Sequence, residues 1–487
     1  MVDEFLVRLS QGRLCQPWAL GRNPVGILGT VLICALSLFV HVASAAQTNK
    51  PNVVFILIDD MGYADTSCYR TSGTPVVTTT NIDRLASQGI RFTQYHAASP
   101  ICSPSRTGLL TGSYPGRWRV TSYLDNKSVN RSRNMADFAD PLAPNIGRAF
   151  KAAGYKTGHF GKWHLDSGRN VDDSPLPQAY GFDESVVSFE GLGNRVLFNG
   201  DALSTLSAQA KQGVLEWMPK AEAASNQVND AVAFLAAHTN DPCYVNLWFN
   251  DVHTAWLPAA GTWSKYSTVT SDVNEQKFYA VLENLDLQIG RFLTALDNLK
   301  LTTNTIVIYA SDNGAPGDGT TAFALARNGG LRGRKGSLYE GGTRLPFIVR
   351  WPNHIPQGAI NTNTVLSGVD FLPTVCSLAQ ISLPANNIPD GEDMSAAILG
   401  QSQTRTKPIY WWFINDAGPG VGNYHHAPPL ALRIGNWKVL TDYTKSVIEL
   451  YDLNTDPFET TNVVGSQSTL ANSMADQLIT WWQTMPK

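Results

Sequence analysis

Three continuous runs of apolar residues stand out along the chain, and each run ends in a cluster of polar residues. A run that is apolar at every position is typical of a strand buried on both faces of a parallel sheet. The runs cover residues 52–58, 243–249 and 305–310. The polar residues that follow them are Asp59-Asp60, residues 250–253 and residues 311–314. Because ligands collect at the carboxyl ends of parallel strands, these clusters indicate one site assembled from distant segments.

Predicted helices lie between the apolar runs, and the longest of them has apolar residues at helical spacing. They cover residues 81–88, 145–153, 225–237 and 275–296. Strands that alternate with helices predict an α/β fold, with a large, mostly parallel mixed sheet sandwiched by helices. Two segments rich in Gly, Pro and Asp, residues 166–200 and 251–272, are predicted to be long functional loops.

The pattern changes near residue 384, where linkers rich in Pro and Asn separate short aromatic and β-branched runs. Residues 409–413, 431–440 and 447–453 predict strands of a small antiparallel sheet, and residues 470–482 predict a closing helix. We therefore expect a large domain over residues 50–383 and a smaller α+β subdomain over residues 384–487.

The first 45 residues have the features of a secretory signal peptide in the usual order. Three arginines precede an apolar run over residues 25–42, and the small residues Ala43-Ser44-Ala45 follow it. A membrane anchor is the alternative, since the run approaches the length of a spanning helix. The small residues favour cleavage, so we expect export to the periplasm or the medium without a stable membrane anchor.

Composition and charge exclude one class of partner. The 487 residues are 43% hydrophobic and carry a formal net charge of −3, so the positive surplus of a nucleic-acid-binding protein is missing and no such partner is expected. Thirteen tryptophans are plentiful. Tryptophan often lines sugar-binding surfaces, although packing in the core is its more common role. Four cysteines follow the predicted signal peptide, scattered too widely for a disulfide framework.

One of these cysteines, Cys102, lies in the stretch ICSPSRTGLLTG at residues 101–112. Pro104 suits the first turn of a helix, which places Cys102 at a helix N-terminus, where free N–H groups favour a bound anion. Arg106, one turn later, can reach the same anion with its guanidinium fork. On these residues alone, a redox thiol of low pKa is the alternative.

This stretch matches the signature C-x-P-S-R followed by T-G, and through it the chain resembles the type I sulfatases of the alkaline-phosphatase-like superfamily. Four further blocks of that family occur in the expected order: NVVFILIDDMG, GYKTGHFGKWHLD, IVIYASDNG and LRGRKGSLYEGGTRLP. The resemblance covers most of residues 50–480 and implies an alkaline-phosphatase-like fold that hydrolyses sulfate esters. It also implies that a formylglycine-generating enzyme oxidises Cys102 to formylglycine, an aldehyde that hydrates to a geminal diol.

The resemblance further implies a bound Ca²⁺. Asp59, Asp60, Asp312 and Asn313 offer only oxygen ligands, which suit a hard divalent cation, and the residue formed from Cys102 completes the family's ligand set. Taken singly, Asp59-Asp60 also fits a solvated strand end, and Asp312-Asn313 fits a turn. Together with the Cys102 stretch, they indicate the metal.

The remaining catalytic residues are matched by their positions in the motifs. Lys162 and Lys335 match the lysines that bind sulfate, each as a point charge. His164 matches the residue that contacts formylglycine, and His253 matches the residue that assists the departing alcohol together with Lys335. The implied reaction is in-line attack on sulfur by one hydroxyl of the hydrate, with Asp312 as the base and His253 or Lys335 as the general acid.

Two departures from the family pattern lie at the edge of the expected pocket. His253 is followed by Thr254-Ala255-Trp256 where the family often has a proline nearby, and Asp166 stands where the family commonly has glycine. Both departures affect the shape of the substrate pocket more than the chemistry. Four loop residues are further candidates for the walls of that pocket: Arg195, Trp256, His425 and His426.

The abundant aromatic residues and the predicted export favour a sulfated carbohydrate over an aryl sulfate as substrate. The segment GLGNR at residues 191–195 faintly resembles family members that act on N-acetylgalactosamine 6-sulfate. Two alternatives are a phosphonate or phosphate ester hydrolase of the same superfamily and an inactive glycan-binding relative whose Cys102 stays a thiol. The intact set of site residues argues against the inactive relative.

Overall fold

The computed structural model describes residues 50–70, 73–166, 174–189, 191–209, 213–317, 321–384, 387, 389–414 and 426–486. The predicted signal peptide and the candidate His425 lie outside these described residues. The chain from Gln47 to Lys487 forms one compact unit. In the described part of the chain, every helix is too short or too polar to cross a membrane.

A large mixed sheet forms the centre of the fold. Its strands are β1 (Asn52–Ile58), β2 (Ile90–His96), β3 (Lys156–Lys162), β4 (Glu184–Ser188), β5 (Arg195–Asn199), β6 (Leu215–Pro219), β7 (Cys243–Trp248), β8 (Thr305–Ser311), β9 (Arg344–Arg350), β10 (Ala359–Asn361) and β11 (Leu366–Ser367). In space the order is β10-β2-β9-β8-β1-β7-β3-β4-β5-β6, and β11 also pairs with β2. Among the described strands of this sheet, β9 alone runs antiparallel to its neighbours.

The position of β1 in the middle of the sheet explains why its sequence is apolar throughout. It lies between β7 and β8, and all of its residues are buried. Val53, Phe55 and Leu57 pack on one face of the sheet. The intervening residues Val54 and Ile56 pack on the other face. The three apolar runs are thus neighbouring parallel strands, as predicted.

Helices cover both faces of the sheet. They are α1 (Thr80–Ser87), α2 (Cys102–Thr111), α3 (Lys127–Ser132), α4 (Ile146–Ala152), α5 (Ala202–Ser207), α6 (Ala223–Ala237), α7 (Val273–Asn298), α8 (Thr321–Arg327), α9 (Glu340–Thr343), α10 (Phe371–Leu378), α11 (Ser395–Ile398) and α12 (Ser468–Gln483). Apolar residues of α1, α6 and α7 pack on one face, and those of α2, α4 and α10 pack on the other. The predicted α/β sandwich is confirmed.

A second sheet of four antiparallel strands follows in chain order. Its strands are β12 (Ile409–Trp412), β13 (Leu430–Ile434), β14 (Trp437–Thr441) and β15 (Ile448–Asp452). One face packs against α12. The other face packs against the start of α2 and against Leu338 and Tyr339. The small antiparallel sheet and its closing helix are confirmed, and this sheet supports the segment that carries Cys102.

Two predictions of local structure are wrong. Residues 431–440 form two strands, because Gly435 adopts a φ of 56° and starts a turn between them. The segment 166–200, predicted to be a loop, contains β4 and β5. These strands lie towards one side of the sheet and are only five residues long, so they leave no long apolar run in the sequence.

Candidate active site

The predicted site residues meet at the carboxyl edge of the large sheet. Neighbouring strands place them there: Asp59 and Asp60 follow β1, Asp312 and Asn313 follow β8, His253 lies beyond β7, Lys162 ends β3, and Cys102 begins α2 after β2. Ligand atoms of Asp59, Asp60, Cys102 and His253 all lie within 4.8 Å of one another. Segments more than 250 residues apart in the sequence therefore form one site.

Cys102 is the first residue of α2 and is only 2% exposed. Its Sγ lies 3.4 Å from Lys162 Nζ and 3.6 Å from Asp59 Oδ1. Burial raises the pKa of this thiol to about 12. A buried, protonated thiol does not fit the alternative of a low-pKa redox cysteine, which needs an exposed thiolate.

Asp59 is surrounded by positive charge. Lys162 Nζ donates to Asp59 Oδ2 at 2.5 Å, and Arg106 Nη2 lies 3.8 Å from Oδ1. Burial acts to raise the pKa of Asp59, but Lys162 and the other nearby cations outweigh burial and hold this pKa well below its usual range. Asp59 is therefore ionised at neutral pH.

Asp60 is likewise surrounded by positively charged or basic side chains, on the open side of the site. Lys335 Nζ lies 2.7 Å from Asp60 Oδ1 and 2.8 Å from Oδ2, and His253 Nε2 lies 3.6 Å from Oδ2. The side chains of Lys335 and His253 are 17% and 18% exposed, whereas that of Lys162 is 1% exposed. Lys335 and His253 thus face the entrance, and Lys162 lies at the base.

The backbone at this site is strained at three positions. Asp60, His164 and Phe189 have φ values of 62°, 48° and 53°, in the left-handed region that residues with a side chain rarely adopt. Such conformations cost about 1–3 kcal/mol each and cluster at functional sites. At Asp60, the strain accompanies a carboxylate that bonds both Lys335 and Asn313.

Arg106 uses its guanidinium fork on Asp312. Its Nε and Nη2 donate to Asp312 Oδ2 at 3.0 and 2.8 Å, and its Nη1 donates to the backbone oxygen of Lys162 at 3.0 Å. Burial and the nearby Asp59 raise the pKa of Asp312 to about 6, although Arg106 opposes this shift. These bonds tie α2 to the ends of β3 and β8, and the binding of the substrate anion by Arg106 stays a prediction.

The oxygen atoms around Asp60 fit a hard divalent cation. Asn313 Nδ2 donates to Asp60 Oδ1 at 2.7 Å, while Asn313 Oδ1 is buried with no hydrogen-bond partner among the described residues. A buried acceptor beside three carboxylates is costly unless it binds a positively charged group. Asp59, Asp60, Asp312 and Asn313 therefore offer the oxygen-only environment that Ca²⁺ or Mg²⁺ prefers.

Both histidines lie close to Phe189, a residue that the sequence analysis missed. His164 Nε2 lies 3.1 Å from the carbonyl oxygen of Leu124. Burial lowers the pKa of His253 to about 4, so its ring is neutral at pH 7. The Phe189 ring lies 4.5 Å from the His164 ring, 6.0 Å from the His253 ring and 4.5 Å from Lys162 Nζ. Phe189 follows β4, which the sequence did not predict, so no signal pointed to it.

Two of the candidate pocket residues lie in the interior. Trp256 is 6% exposed, and its Nε1 donates to the backbone oxygen of Val252 at 2.8 Å. Arg195 is 2% exposed and donates to the backbone oxygen of Ser207 at 2.9 Å. Asp166 is also buried, while His426 is half-buried. Trp256 and Arg195 are thus buried and bonded to backbone oxygens, and their place in a pocket wall stays a prediction.

Comparison with known proteins places these features in a family. Residues 51–381 match the family model for sulfatases, and residues 334–483 match the model for the C-terminal region of N-sulphoglucosamine sulphohydrolase. An N-acetylgalactosamine-6-O-sulfatase of Bacteroides thetaiotaomicron is 28% identical to this chain, over 92% of this chain and 96% of the relative. Human arylsulfatase A is 29% identical, over 87% of this chain and 85% of the relative.

A solved structure supports the same assignment. The crystal structure of Ps i-CgsB in complex with k-i-k-neocarrahexaose superposes with a TM-score of 0.72 at 25% identity, over 89% of this chain and 92% of that chain. Similarity to this structure extends across both sheets, since it covers most of the chain. The sequence blocks, the strand-end geometry and these matches lead to one conclusion: the chain belongs to the sulfatase family and is a sulfuric ester hydrolase.

Proposed function

We propose that this protein removes sulfate from sulfated carbohydrates, using a formylglycine made from Cys102 and a bound Ca²⁺. The observation that carries the proposal is the meeting of Cys102, four oxygen-bearing side chains and two lysines at one strand edge. The carbohydrate class rests on relatives, among them the N-acetylgalactosamine-6-O-sulfatase and the structure in complex with k-i-k-neocarrahexaose. The positive charge of the lysines and the proposed cation fits the sulfate esters of these relatives, because a sulfate ester needs its negative charge neutralised before attack.

Asp59, Asp60, Asp312 and Asn313 would hold the cation, which supplies a fixed positive charge for the sulfate oxygens when bound. The hydrated aldehyde formed from Cys102 would supply an oxygen nucleophile at the N-terminus of α2. Lys162 Nζ, 3.4 Å from Cys102 Sγ, is positioned to bind a sulfate oxygen at the base of the site. Lys335 Nζ is positioned to bind another from the entrance side.

Proton transfer falls to the residues that line the reacting atoms. Asp312, held by two hydrogen bonds from Arg106 to its Oδ2, is the proposed base at the nucleophile. Lys335 Nζ and His253 Nε2 both lie on the entrance side, where the alcohol departs. Lys335 is charged and can protonate the alcohol directly, whereas His253, whose ring is neutral at pH 7, can act as the acid only after it has taken up a proton. His164 Nε2 lies against the Leu124 carbonyl oxygen, and the Leu124 N–H donates to Ser103 Oγ, directly after Cys102.

The conversion of Cys102 is tested by mass spectrometry of the peptide covering Tyr95–Arg106. Formylglycine is lighter than cysteine, so the mass of the peptide distinguishes the modified form from the unmodified one. We expect the modified peptide in protein from a host that has the modifying enzyme. Cys102→Ala should lower sulfate release by at least about 10³-fold, because it removes the nucleophile. A purified protein that contains only the unmodified thiol and still releases sulfate would overturn the proposal.

The substrate class is tested by a screen of sulfated oligosaccharides with sulfate release as the readout. Matched aryl sulfate and aryl phosphate assays separate this proposal from a phosphate or phosphonate ester hydrolase. A preference for phosphate by orders of magnitude would contradict a sulfatase. The metal is tested separately by its effect on stability: after chelation, Ca²⁺ should raise the melting temperature, and Asn313→Ala should reduce that rise.

We also propose that residues 1–45 are a signal peptide and that the mature protein is exported. The order of arginines, apolar run and small residues supports this proposal. The proposed division into a catalytic domain over residues 50–383 and a C-terminal subdomain from residue 384 is supported by the position of the second sheet. Sequencing of the N-terminus of the exported protein should begin directly after Ala45.

A further inference from the structure

A crevice of about 680 Å³ lies between the end of α2 and the C-terminal sheet, away from the strand-end site. Its walls contain four aromatic residues: Tyr114, Trp118, Tyr410 and Trp481. Arg117, Lys407 and Asp390 lie among them. We call this region the aromatic crevice. The sequence contains many tryptophans, and neither Trp118 nor Trp481 has a role in the proposed catalytic site.

The aromatic rings hold one another in place. Tyr410 stacks on Trp481 with 4.7 Å between ring centroids, and Tyr114 meets the edge of Trp481 at 5.3 Å. The Tyr114 hydroxyl donates to the carbonyl oxygen of Pro408 at 3.0 Å, and Gln477 donates to the Tyr410 hydroxyl at 2.8 Å. Rings fixed in this way lose little conformational entropy when a ligand binds.

The charges of the crevice leave a positive excess. Arg117 donates through Nε and Nη2 to both oxygens of Asp390, at 2.7 and 2.6 Å, so these two charges compensate each other. Lys407 Nζ donates to the carbonyl oxygens of Pro389 and Gly391, and none of the described carboxylates forms an ion pair with it. The arginine side chain is 42% exposed, and the lysine is exposed.

The crevice is distinct from the catalytic site. Cys102 is the first residue of α2, and Tyr114 and Arg117 follow its last turn. A ten-residue helix spans about 15 Å, so the crevice and the nucleophile lie at opposite ends of the same helix. A ligand bound in the crevice therefore does not occupy the position of the reacting sulfate.

Rigid aromatic rings beside hydrogen-bonding and cationic groups are suited to sugar rings that carry negative charge. We propose that the aromatic crevice is a second, non-catalytic binding site for a sulfated oligosaccharide. This proposal rests on the proposed function, since the same polymer would occupy both sites. Holding the chain at a second point raises its effective concentration at the nucleophile, which favours long substrates over short ones.

The test uses the full-length Cys102→Ala protein, so that no substrate is consumed, and two exposed-charge variants, Lys407→Gln and Arg117→Gln. The probes are chondroitin 6-sulfate and κ-carrageenan oligosaccharides, their desulfated forms, and polyglutamate as an acidic peptide of similar charge. We expect each variant to raise the Kd for at least one sulfated probe by about tenfold. Lys445→Gln removes a half-buried lysine that pairs with Asp476 and does not line the crevice, and it should leave the Kd unchanged.

The aromatic contribution is tested with Trp481→Phe and Trp481→Ala in the same binding assay. Phenylalanine should preserve most of the affinity, whereas alanine should weaken it further than either charge variant. If Trp481→Ala does not fold, as judged by its thermal unfolding transition, the exposed Lys407→Gln and Arg117→Gln variants still decide the proposal.

Several results would overturn the crevice as a glycan site: no binding of any sulfated probe, unchanged binding in both charge variants, equal losses for desulfated probes, or equal affinity for polyglutamate. With Cys102 retained, the crevice variants should raise KM for the polymer and leave the turnover of a sulfated monosaccharide unchanged. Loss of monosaccharide turnover would contradict the separation of the two sites. Failure of the unmutated enzyme to release sulfate would instead contradict the proposed function, and the binding assay would still test the crevice.

Discussion

Lys162 and Lys335 each neutralise one of the two carboxylates at the end of β1. Lys162 lies in the interior beside Asp59, and Lys335 lies at the entrance beside Asp60. Each cation is thus placed by a carboxylate that would itself bind the metal. Loss of either lysine should therefore affect the binding of the sulfate and the arrangement of the oxygen ligands together.

Replacement of Lys335 by methionine should lower kcat/KM for sulfate release by about 10²–10³-fold, because one fixed charge on the developing transition state is lost. Steady-state kinetics on a sulfated monosaccharide measure this effect. Lys445→Met, at a half-buried lysine beside Asp476, is the control and should stay within twofold of the unmutated enzyme. A Lys335→Met enzyme that keeps more than a tenth of its kcat/KM would exclude a role for this charge.

Replacement of Arg106 by lysine should lower both activity and stability. Lysine keeps the charge but cannot reproduce the paired Nε and Nη2 contacts with Asp312 or the bond to the Lys162 carbonyl oxygen. We expect a loss of about 2–3 kcal/mol in the free energy of unfolding, measured by urea denaturation. Unchanged stability would mean that Arg106 does not hold α2 against β3 and β8.

Motif residues such as Asp59, Cys102 and Lys162 could be predicted because their chemistry is visible in the sequence itself. Phe189 could not, since it reaches both histidines only through a left-handed backbone at the end of an unpredicted strand. Arg106 was predicted as a site residue, but its partner is Asp312, which is 206 positions away. Pairings over such distances depend on the fold and leave no local pattern.

At the level of elements, close approach of β3 and β7 brings Lys162 to its position. Gly161 has a φ of 114°, and a Cβ at this residue would lie 2.0 Å from the carbonyl oxygen of Trp248. Only glycine fits between these strands without displacing backbone. Gly161, directly before Lys162, therefore fixes the position of the lysine relative to the end of β7.

Gly161→Ala should destabilise the protein by more than about 3 kcal/mol, because both the backbone conformation and the contact with β7 become unfavourable. Gly154→Ala is a matched control: its φ is 85°, but a Cβ there meets nothing within 4 Å. The control should lose only about 1 kcal/mol, the cost of the left-handed backbone. Urea denaturation of both variants measures the difference, and equal losses would contradict the proposed clash.

The elements that the sequence predicted well are those with a simple burial pattern. The strands β1, β7 and β8 are buried at every position, so their sequences are continuously apolar. The strands β4 and β5 are shorter and include exposed residues, so the surrounding Gly- and Asp-rich sequence favoured a loop. For the hairpin of β13 and β14, the two-residue turn was hidden within one aromatic and β-branched run.

For the whole molecule, a buried cluster of charged residues joins the large sheet to the C-terminal sheet. Lys438 Nζ lies 2.9 Å from Glu340 Oε1 and 3.0 Å from Glu459 Oε1. His96, at the end of β2, lies 3.0 Å from the same Glu340. Because Glu340 lies in α9, five residues after Lys335, this cluster also steadies the segment that carries the entrance lysine.

The pH dependence of stability should report on His96. Burial lowers the pKa of His96 to about 4 in the folded protein, despite Glu340, compared with 6.5 when unfolded. The folded state therefore favours the neutral His96 ring. The contribution of this ring to the free energy of unfolding is complete above pH 6.5 and is lost as the pH falls towards 4. Between pH 7.5 and pH 5 this amounts to about 2 kcal/mol.

Urea denaturation at both pH values compares the unmutated protein with His96→Gln. The variant should lack about 2 kcal/mol of the decrease on acidification, because it has no ring to protonate. His354→Gln, at an exposed histidine that stacks on Trp351, should keep the full decrease. An identical decrease in His96→Gln and the unmutated protein would exclude His96 as its source.

The burial of Cys102 has a consequence for how the enzyme has to be made. A thiol that is 2% exposed, beneath the C-terminal sheet, cannot enter the active site of another protein. Its proposed oxidation must then take place on the newly synthesised chain before α2 is enclosed. Folded protein purified in the thiol form would stay inactive when the modifying enzyme is added later, and a productive host has to supply that enzyme during synthesis.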